Sequence, residues 1–164
     1  MGTYLNPGNN GFAEIVNTDY VDKTGMIELI NNRINTLNKL ICISRPRRFG
    51  KSYAAKMLCA YYDCSCNSEN LFDNLEIAKS ATYHKHMNKY NVIYLDISGI
   101  VSLMIRKDID LKNIARFISS LIRDELVENY PSFAKFDDVS KCILECVNET
   151  KKSLYLSLTN GMRS

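Results

Sequence analysis

The segment that most constrains the fold of this chain is a basic loop, RPRRFGKS, at residues 45–52. It follows a short apolar run at residues 40–43 that is typical of a buried strand. It precedes YAAKMLCAYYD, in which alanine, methionine and leucine favour a helix. In the order strand, loop, helix, the first backbone amides of the helix point at an anion and the helix dipole favours negative charge. The loop therefore predicts a phosphate-binding turn.

The loop matches only part of the phosphate-binding pattern G-x-x-x-x-G-K-[ST], because Arg45 stands where the first glycine is expected. In this interpretation Gly50 lets the backbone approach the phosphates, Lys51 reaches the β- and γ-phosphates, and the Ser52 hydroxyl binds Mg²⁺. Gly-Lys-Ser also occurs by chance in basic loops, so the prediction depends on the flanking strand and helix. The predicted nucleotide-binding residues are Arg45, Pro46, Arg47, Arg48, Phe49, Gly50, Lys51 and Ser52.

Arg47 and Arg48 have two interpretations, since a guanidinium group either adds positive charge beside the phosphates or pairs with an acidic side chain nearby.

Strand and helix patterns alternate along the chain, which predicts an α/β fold with a mostly parallel sheet flanked by helices. Two strands are expected, at residues 40–43 and 91–98, and this number is small for such a fold. The predicted helices cover residues 23–36, 53–63, 71–87, 108–130, 136–149 and 151–163. The expected organisation is one partial domain over residues 1–164: residues 1–20 irregular, 37–63 strand, phosphate loop and helix, 91–98 second strand, and 108–163 helical.

Composition excludes several classes of protein. The hydrophobic fraction of 46% and the charged fraction of 24% are typical of globular domains, and a net charge of +3 is too small to indicate nucleic acid. No apolar run is long enough to span a bilayer and the N-terminus does not resemble a signal peptide, so a cytoplasmic protein is expected.

The six cysteines are expected to be free thiols in such a compartment. Zinc bound by Cys64, Cys66, Cys142 and Cys146 is a less favoured alternative, because the spacing within each pair is unusual for a zinc ribbon.

Four segments resemble the bacterial AAA-ATPase-like family, in which the ATPase domain is often fused to a PD-(D/E)XK-type nuclease domain. They are LNPGNNGF at residues 5–12, TDYVDKTGMIELINN at 18–32, ICISRPRRFGKSYAAKMLCAYYD at 41–63 and HMNKYNVIYLDISGI at 86–100. The form RPRRFGK is usual in that family, so the resemblance makes Arg45 a normal member of the loop.

The resemblance implies a P-loop NTPase-type fold, with ATP and Mg²⁺ as cofactors and a second acidic motif at the end of an apolar strand. That acidic strand is not found. Asp96, at the end of NVIYLD, either contributes to metal binding or, as we favour, bonds to a neighbouring loop. The chain is therefore expected to be a truncated member that binds ATP with little or no turnover.

The implied partners are a nucleoside triphosphate, the rest of an ATPase domain and a nuclease-type domain. A non-catalytic interaction domain or fragment is the main alternative function, and a nucleic-acid-binding module that uses the basic loop is a weaker one. Asp22 and Lys23, within the segment at 18–32, have two interpretations. In the first they lie near the nucleotide base or at a domain contact. In the second, which we favour, Asp22 caps a helix and Lys23 is a solvated lysine.

Overall fold

The computed structural model describes residues 2–44 and 50–159 of the chain. Within these ranges the helices are α1 (Asn10–Val16), α2 (Gly25–Asn31), α3 (Lys51–Tyr62), α4 (Glu69–Phe72), α5 (Tyr83–His86), α6 (Ile97–Arg106), α7 (Ile114–Asn129) and α8 (Val139–Thr150). The strands are β1 (Asn91–Asp96) and β2 (Leu154–Thr159), and short 3-10 helices lie at Glu76–Lys79, Leu111–Asn113 and Pro131–Lys135.

The two strands form a parallel sheet in which Asn91 pairs with Leu154 and Asp96 pairs with Thr159. Successive side chains of a strand point to opposite faces of the sheet. Accordingly, Val92 packs in a first core with α1, α2 and α3, while Ile93 packs in a second core with α6, α7 and α8. The protein is a helix-rich α/β fold, as the alternating sequence pattern predicted.

Helix α3 is the central element of the first core, and seven of its twelve residues are buried. At its C-terminal end, the ring of Tyr62 stacks on Tyr155 of β2 with 4.3 Å between the ring centroids. The hydroxyl of Tyr61 donates a hydrogen bond to the backbone carbonyl of Tyr83. These contacts anchor α3 at its C-terminal end, so its N-terminal end is held at a defined place on the surface.

The side chain of Asn91 is fully buried at the start of β1 and has four hydrogen-bond partners. Its amide nitrogen donates to the hydroxyl of Thr150 (2.7 Å) and to the carbonyl of Lys152 (3.1 Å). Its oxygen accepts from the amide of Asn6 (3.4 Å) and the thiol of Cys64 (3.6 Å). One side chain thereby connects β1 to three segments that are distant from it in the sequence.

The strand predicted at residues 40–43 is wrong. These residues have no regular secondary structure, Leu40 is 90% exposed and Ile43 is 39% exposed. A strand is stabilised by a neighbour that pairs with its backbone groups. In the part of the sheet that the structure describes, neither β1 nor β2 pairs with this segment.

The helix predicted at residues 151–163 is also wrong, because residues 154–159 of that range form β2 and residues 160–163 lie outside the described ranges. Lys151 adopts a left-handed conformation, with φ of 55°, which ends α8. The following sequence LYLSLT alternates large apolar residues with others, and this period of two suits a strand beside β1.

Other helix boundaries differ from the prediction. Residues 71–87 contain two short helices and a turn of 3-10 helix in place of one long helix, because the hydroxyls of Ser80 and Thr82 bond to local groups that compete with helical hydrogen bonding. Helix α6 begins directly after β1, so residues 97–98 of the strand predicted at 91–98 are helical. Helix α1 lies within the N-terminal segment that was predicted to be irregular.

Candidate functional site

The last three residues of the predicted loop lie at the start of α3. Gly50 precedes the helix in a left-handed conformation, with φ of 72° and ψ of 30°, and its carbonyl accepts a hydrogen bond from the amide of Ala54. Lys51 and Ser52 are the first two residues of the helix, half-buried and exposed respectively. The other predicted residues, Arg45, Pro46, Arg47, Arg48 and Phe49, lie outside the described residues.

A second lysine, Lys23, reaches the same end of α3. Its Nζ lies 3.4 Å from the position that a Cβ on Gly50 would occupy, and the residue is half-buried. Lys23 is therefore not the solvated lysine that the sequence favoured. The first turn of α3 contains no acidic residue. Lys23 and Lys51 thus both lie near the start of α3, the end of the helix whose dipole favours an anion.

Asp22, next to Lys23 in the chain, ties this segment to the rest of the domain. One carboxylate oxygen of Asp22 accepts hydrogen bonds from the amide and the hydroxyl of Thr24, and the other accepts from the amide of Glu76 at 2.7 Å. Partial burial opposes ionisation, but these hydrogen bonds and the charge of Lys79 outweigh it, so the pKa of Asp22 is lower than usual. The carboxylate fastens this segment to the 3-10 helix at Glu76–Lys79, as a contact within the domain.

A cleft of about 270 Å³ opens next to Gly50. One wall is formed by the segment at residues 18–23, and the other by the face of α3 that carries Gly50, Tyr53, Ala54 and Met57. Residues three or four positions apart lie on the same face of a helix, which explains why these four side-chain positions line one wall. Tyr53 is 55% exposed, so its ring is available at the surface.

Tyr20, in the wall formed by the 18–23 segment, is bonded to both sides of the cleft. Its hydroxyl accepts a hydrogen bond from the amide of Lys23 (3.3 Å) and donates one to the sulfur of Met57 (3.4 Å). Its ring packs edge-on against Phe12 of the first core, with 5.5 Å between the centroids. Burial raises the pKa of the Tyr20 hydroxyl, so the hydroxyl stays protonated near neutral pH. The cleft is therefore attached to the core on the side of the 18–23 segment.

Asp96 caps α6. The favoured interpretation was a bond to a neighbouring loop, but the carboxylate instead accepts a hydrogen bond from the amide of Ser98, in the first turn of α6, at 3.1 Å. Among the described residues no group of three or more His, Cys, Asp or Glu side chains is arranged to hold a metal ion. The six cysteines are free thiols, and Cys142 is fully buried in the second core.

The comparison with known protein families covers nearly the whole chain. Residues 8–158 match the model of a family described as predicted AAA-ATPase. The chain belongs to the AAA-ATPase-like family. No curated protein and no solved structure is similar enough to this AAA-ATPase-like chain to give a match. The resemblance drawn from the sequence motifs is thereby confirmed, and the family supports nucleotide binding in general terms.

In the part of the chain that the structure describes, no helix has both the length and the apolar character needed to cross a bilayer.

Sequence reasoning missed the wall of the cleft on α3. It identified residues 53–63 as a helix but assigned no role to Tyr53, Ala54 or Met57. A signal was present, because Tyr53 and Met57 are four residues apart and share a face with Gly50 and Ala54. The same spacing is also expected for a helix face buried in the core. Only the position of the 18–23 segment shows which part of α3 lines a cleft.

Proposed function

We propose that this AAA-ATPase-like chain binds a nucleoside triphosphate with its phosphates at the start of α3. The observation that carries the proposal is the left-handed Gly50 that begins α3, with the ammonium of Lys23 beside it and Lys51 as the first helical residue. Amides at a helix start together with two lysines are suited to a polyphosphate, which presents several negative oxygens. Family membership supports the same conclusion.

In this proposal the residues of the loop have the roles that the motif gives them. Arg45, Pro46, Arg47, Arg48 and Phe49 would enclose the phosphates together with Gly50 and Lys51, and the Ser52 hydroxyl would bind the accompanying Mg²⁺. Ser52 is exposed at the second position of α3, where an ion in solvent can reach it. ATP is the nucleotide implied by the family, with Mg²⁺ as its counter-ion.

We expect binding with little or no turnover. Hydrolysis needs a positioned water molecule and stabilisation of the charge that develops on the phosphate. Within the two described strands, Asp96 is the only acidic residue, and its carboxylate caps α6. A fused nuclease-type domain and contact with nucleic acid stay predictions from the resemblance and the basic loop.

The test is the affinity for Mg·ATP of two matched variants, measured by isothermal titration calorimetry. Lys51→Ala removes a cation at the first residue of α3, and Lys56→Ala removes one from an exposed position on the same helix, about 7 Å further along its axis. We expect Lys51→Ala to weaken binding at least tenfold and Lys56→Ala to change it less than twofold. Equal effects of the two variants would refute the proposal. Phosphate release by the unmodified chain at a rate typical of ATPases would refute the expectation on turnover.

A further inference from the structure

We infer that the chain binds the phosphate backbone of nucleic acid at the end of the sheet where both strands begin. The surface consists of four lysines, which we call the lysine patch: Lys85, Lys89, Lys151 and Lys152. It is separate from the proposed nucleotide site. Asp63, which follows α3, pairs with Tyr90 beside the patch, whereas Gly50 lies thirteen residues earlier, or about 20 Å along the helix axis.

Two basic segments that are far apart in the sequence meet at this end of the sheet. The first leads into β1 and reads HKHMNKY (84–90), and the second leads into β2 and reads KKS (151–153). The backbone amide of Asn91 donates a hydrogen bond to the carbonyl of Ser153 at 2.9 Å, and its side-chain amide donates to the carbonyl of Lys152 at 3.1 Å. Paired strands are about 5 Å apart, so the backbones that carry the two pairs of lysines enter the sheet side by side.

The charges of the lysine patch are accessible to a ligand. Lys85, Lys89 and Lys151 are exposed, and Lys152 is half-buried. The Nζ of Lys89 donates to the carbonyls of His84 and Lys85, both at 2.9 Å, which fixes this ammonium group beside Lys85. Among the described residues, none of the four lysines forms an ion pair with a carboxylate. Clustered cations of this kind produce a positive surface potential that attracts a polyanion.

The acidic groups around the two segments do not cancel this charge. Asp63 is fully buried and accepts hydrogen bonds from two backbone amides, and Glu69 lies 3.8 Å from the imidazole of His84. Glu149 is exposed in the last turn of α8, but one carboxylate does not neutralise four ammonium groups. Burial lowers the pKa of His86, and the charges of Lys85 and Lys89 lower it further, as a positive local potential requires.

The polar character of this surface favours nucleic acid over a membrane. Within residues 84–90 and 150–153, Met87 is buried and the ring of Tyr90 packs against His86 and Tyr62. Helices that lie on a bilayer insert apolar side chains beside their basic ones, and these segments expose none. A phosphate backbone is bound by lysines alone, without regard to base sequence. The formal charge of the whole chain is only +3, but a local cluster of lysines is the feature that such binding requires.

The test is the binding of fluorescein-labelled oligonucleotides of about 20 nucleotides to the full chain, followed by fluorescence anisotropy without ATP. Single-stranded DNA, double-stranded DNA and single-stranded RNA of one sequence are compared, so that the preferred form of nucleic acid is identified. For four phosphate contacts, the logarithm of the association constant should fall with the logarithm of the salt concentration with a slope of about −3 for single strands and about −4 for a duplex.

A double variant removes two cations of the patch. Lys85→Gln changes an exposed side chain, and Lys151→Asn suits the left-handed conformation that ends α8, where φ is 55°. We expect this double variant to weaken binding at least about tenfold at about 50 mM salt and to make the slope shallower by about 1.5. Lys107→Gln with Lys141→Gln is the matched control, because it removes two exposed lysines at the end of α6 and the first turn of α8 and gives the same formal charge. It should change the affinity less than about twofold.

Folding and the nucleotide site are checked separately. Both double variants should have the circular dichroism spectrum of the unmodified chain and its affinity for Mg·ATP, because the changed residues lie outside the proposed nucleotide site. If the unmodified chain binds oligonucleotides but not Mg·ATP, the proposed function fails and this inference stands.

Four results would overturn the inference. The first is that no oligonucleotide binds at about 50 mM salt. The second is that the control double variant weakens binding as much as the patch variant does. The third is that vesicles containing phosphatidylserine bind the chain in a sedimentation assay while the oligonucleotides do not, since the surface would then serve a membrane. The fourth is that Arg47→Gln with Arg48→Gln abolishes oligonucleotide binding while the patch variant retains it, which would assign the nucleic acid to the basic loop.

Discussion

The left-handed conformation of Gly50 leads to a sharp prediction for substitutions at this position. A residue with a Cβ adopts φ near +70° only at a cost of roughly 1–2 kcal/mol, and asparagine is the best tolerated after glycine. The added Cβ itself has room, since its nearest neighbour would be the Nζ of Lys23 at 3.4 Å, an ordinary contact. The penalty is therefore conformational. We expect the free energy of unfolding to fall from the unmodified chain through Gly50→Asn and Gly50→Ala to Gly50→Val. The valine variant is lowest because its Cβ is branched.

The magnitude follows from two opposing effects. Alanine restricts the unfolded chain, which favours folding by about 0.4–1 kcal/mol, but the strained native conformation costs more than this. A net loss of about 1 kcal/mol is expected for Gly50→Ala, which corresponds to a fall in Tm of roughly 2–4 °C. Urea unfolding followed by far-ultraviolet circular dichroism measures the difference.

Gly11 provides the matched control. It lies inside α1, does not have a positive φ, and its added Cβ would meet the flexible side chain of Lys56 at 3.2 Å. Gly11→Ala should therefore leave the free energy of unfolding unchanged or raise it by up to about 1 kcal/mol, the difference in helix propensity. A Gly50→Ala variant as stable as the unmodified chain, or one that matches Gly11→Ala, would refute the argument from conformation.

Two further predictions concern the contacts that support the site and the sheet. The pKa of Asp22 is lowered in the folded chain, so its carboxylate stabilises the fold above pH 4, and this contribution disappears as the pH falls through the lowered pKa. The free energy of unfolding of Asp22→Asn should therefore be about 1 kcal/mol below that of the unmodified chain at pH 7, and urea titrations should show this difference closing towards pH 3. A difference that is constant down to pH 3 would contradict the assignment. Asn91→Leu removes the four hydrogen bonds of a fully buried side chain and should lower Tm by roughly 5–10 °C in a thermal scan, whereas a change below 2 °C would show that these bonds contribute little to stability.

The features that the sequence predicted correctly are those decided by nearby residues. Helix α3 has strong helix formers over three turns, and β1 is a compact apolar run, so both were located within a few residues. Residues 40–43 have the same apolar character as β1, but they have no strand beside them in the described structure. Pairing depends on residues far away in the chain, and a local pattern carries no information about it.

The candidate site divides in the same way. Gly50, Lys51 and Ser52 were predicted as site residues from their spacing, because a motif is a local feature, and the structure places them at the start of α3. The approach of Lys23 to Gly50 joins positions that are 27 residues apart, and the neighbouring Asp22 accepts a hydrogen bond from the amide of Glu76, further along the chain still. The sequence therefore identified the residues at the start of α3 and misjudged the lysine that completes their charge.

The outward face of β2 has a consequence for how the chain behaves at high concentration. Leu154, Leu156 and Leu158 are 36%, 53% and 58% exposed, and in the described structure β2 pairs with β1 along one edge only. An uncharged apolar strand at the edge of a sheet has unpaired backbone groups, and strands of other molecules can form hydrogen bonds with these groups. Storage at millimolar concentration should therefore favour oligomers and precipitates that form through this strand. Nucleotide would not prevent them, because the Tyr62–Tyr155 contact with the sheet and the proposed ligand lie at opposite ends of α3.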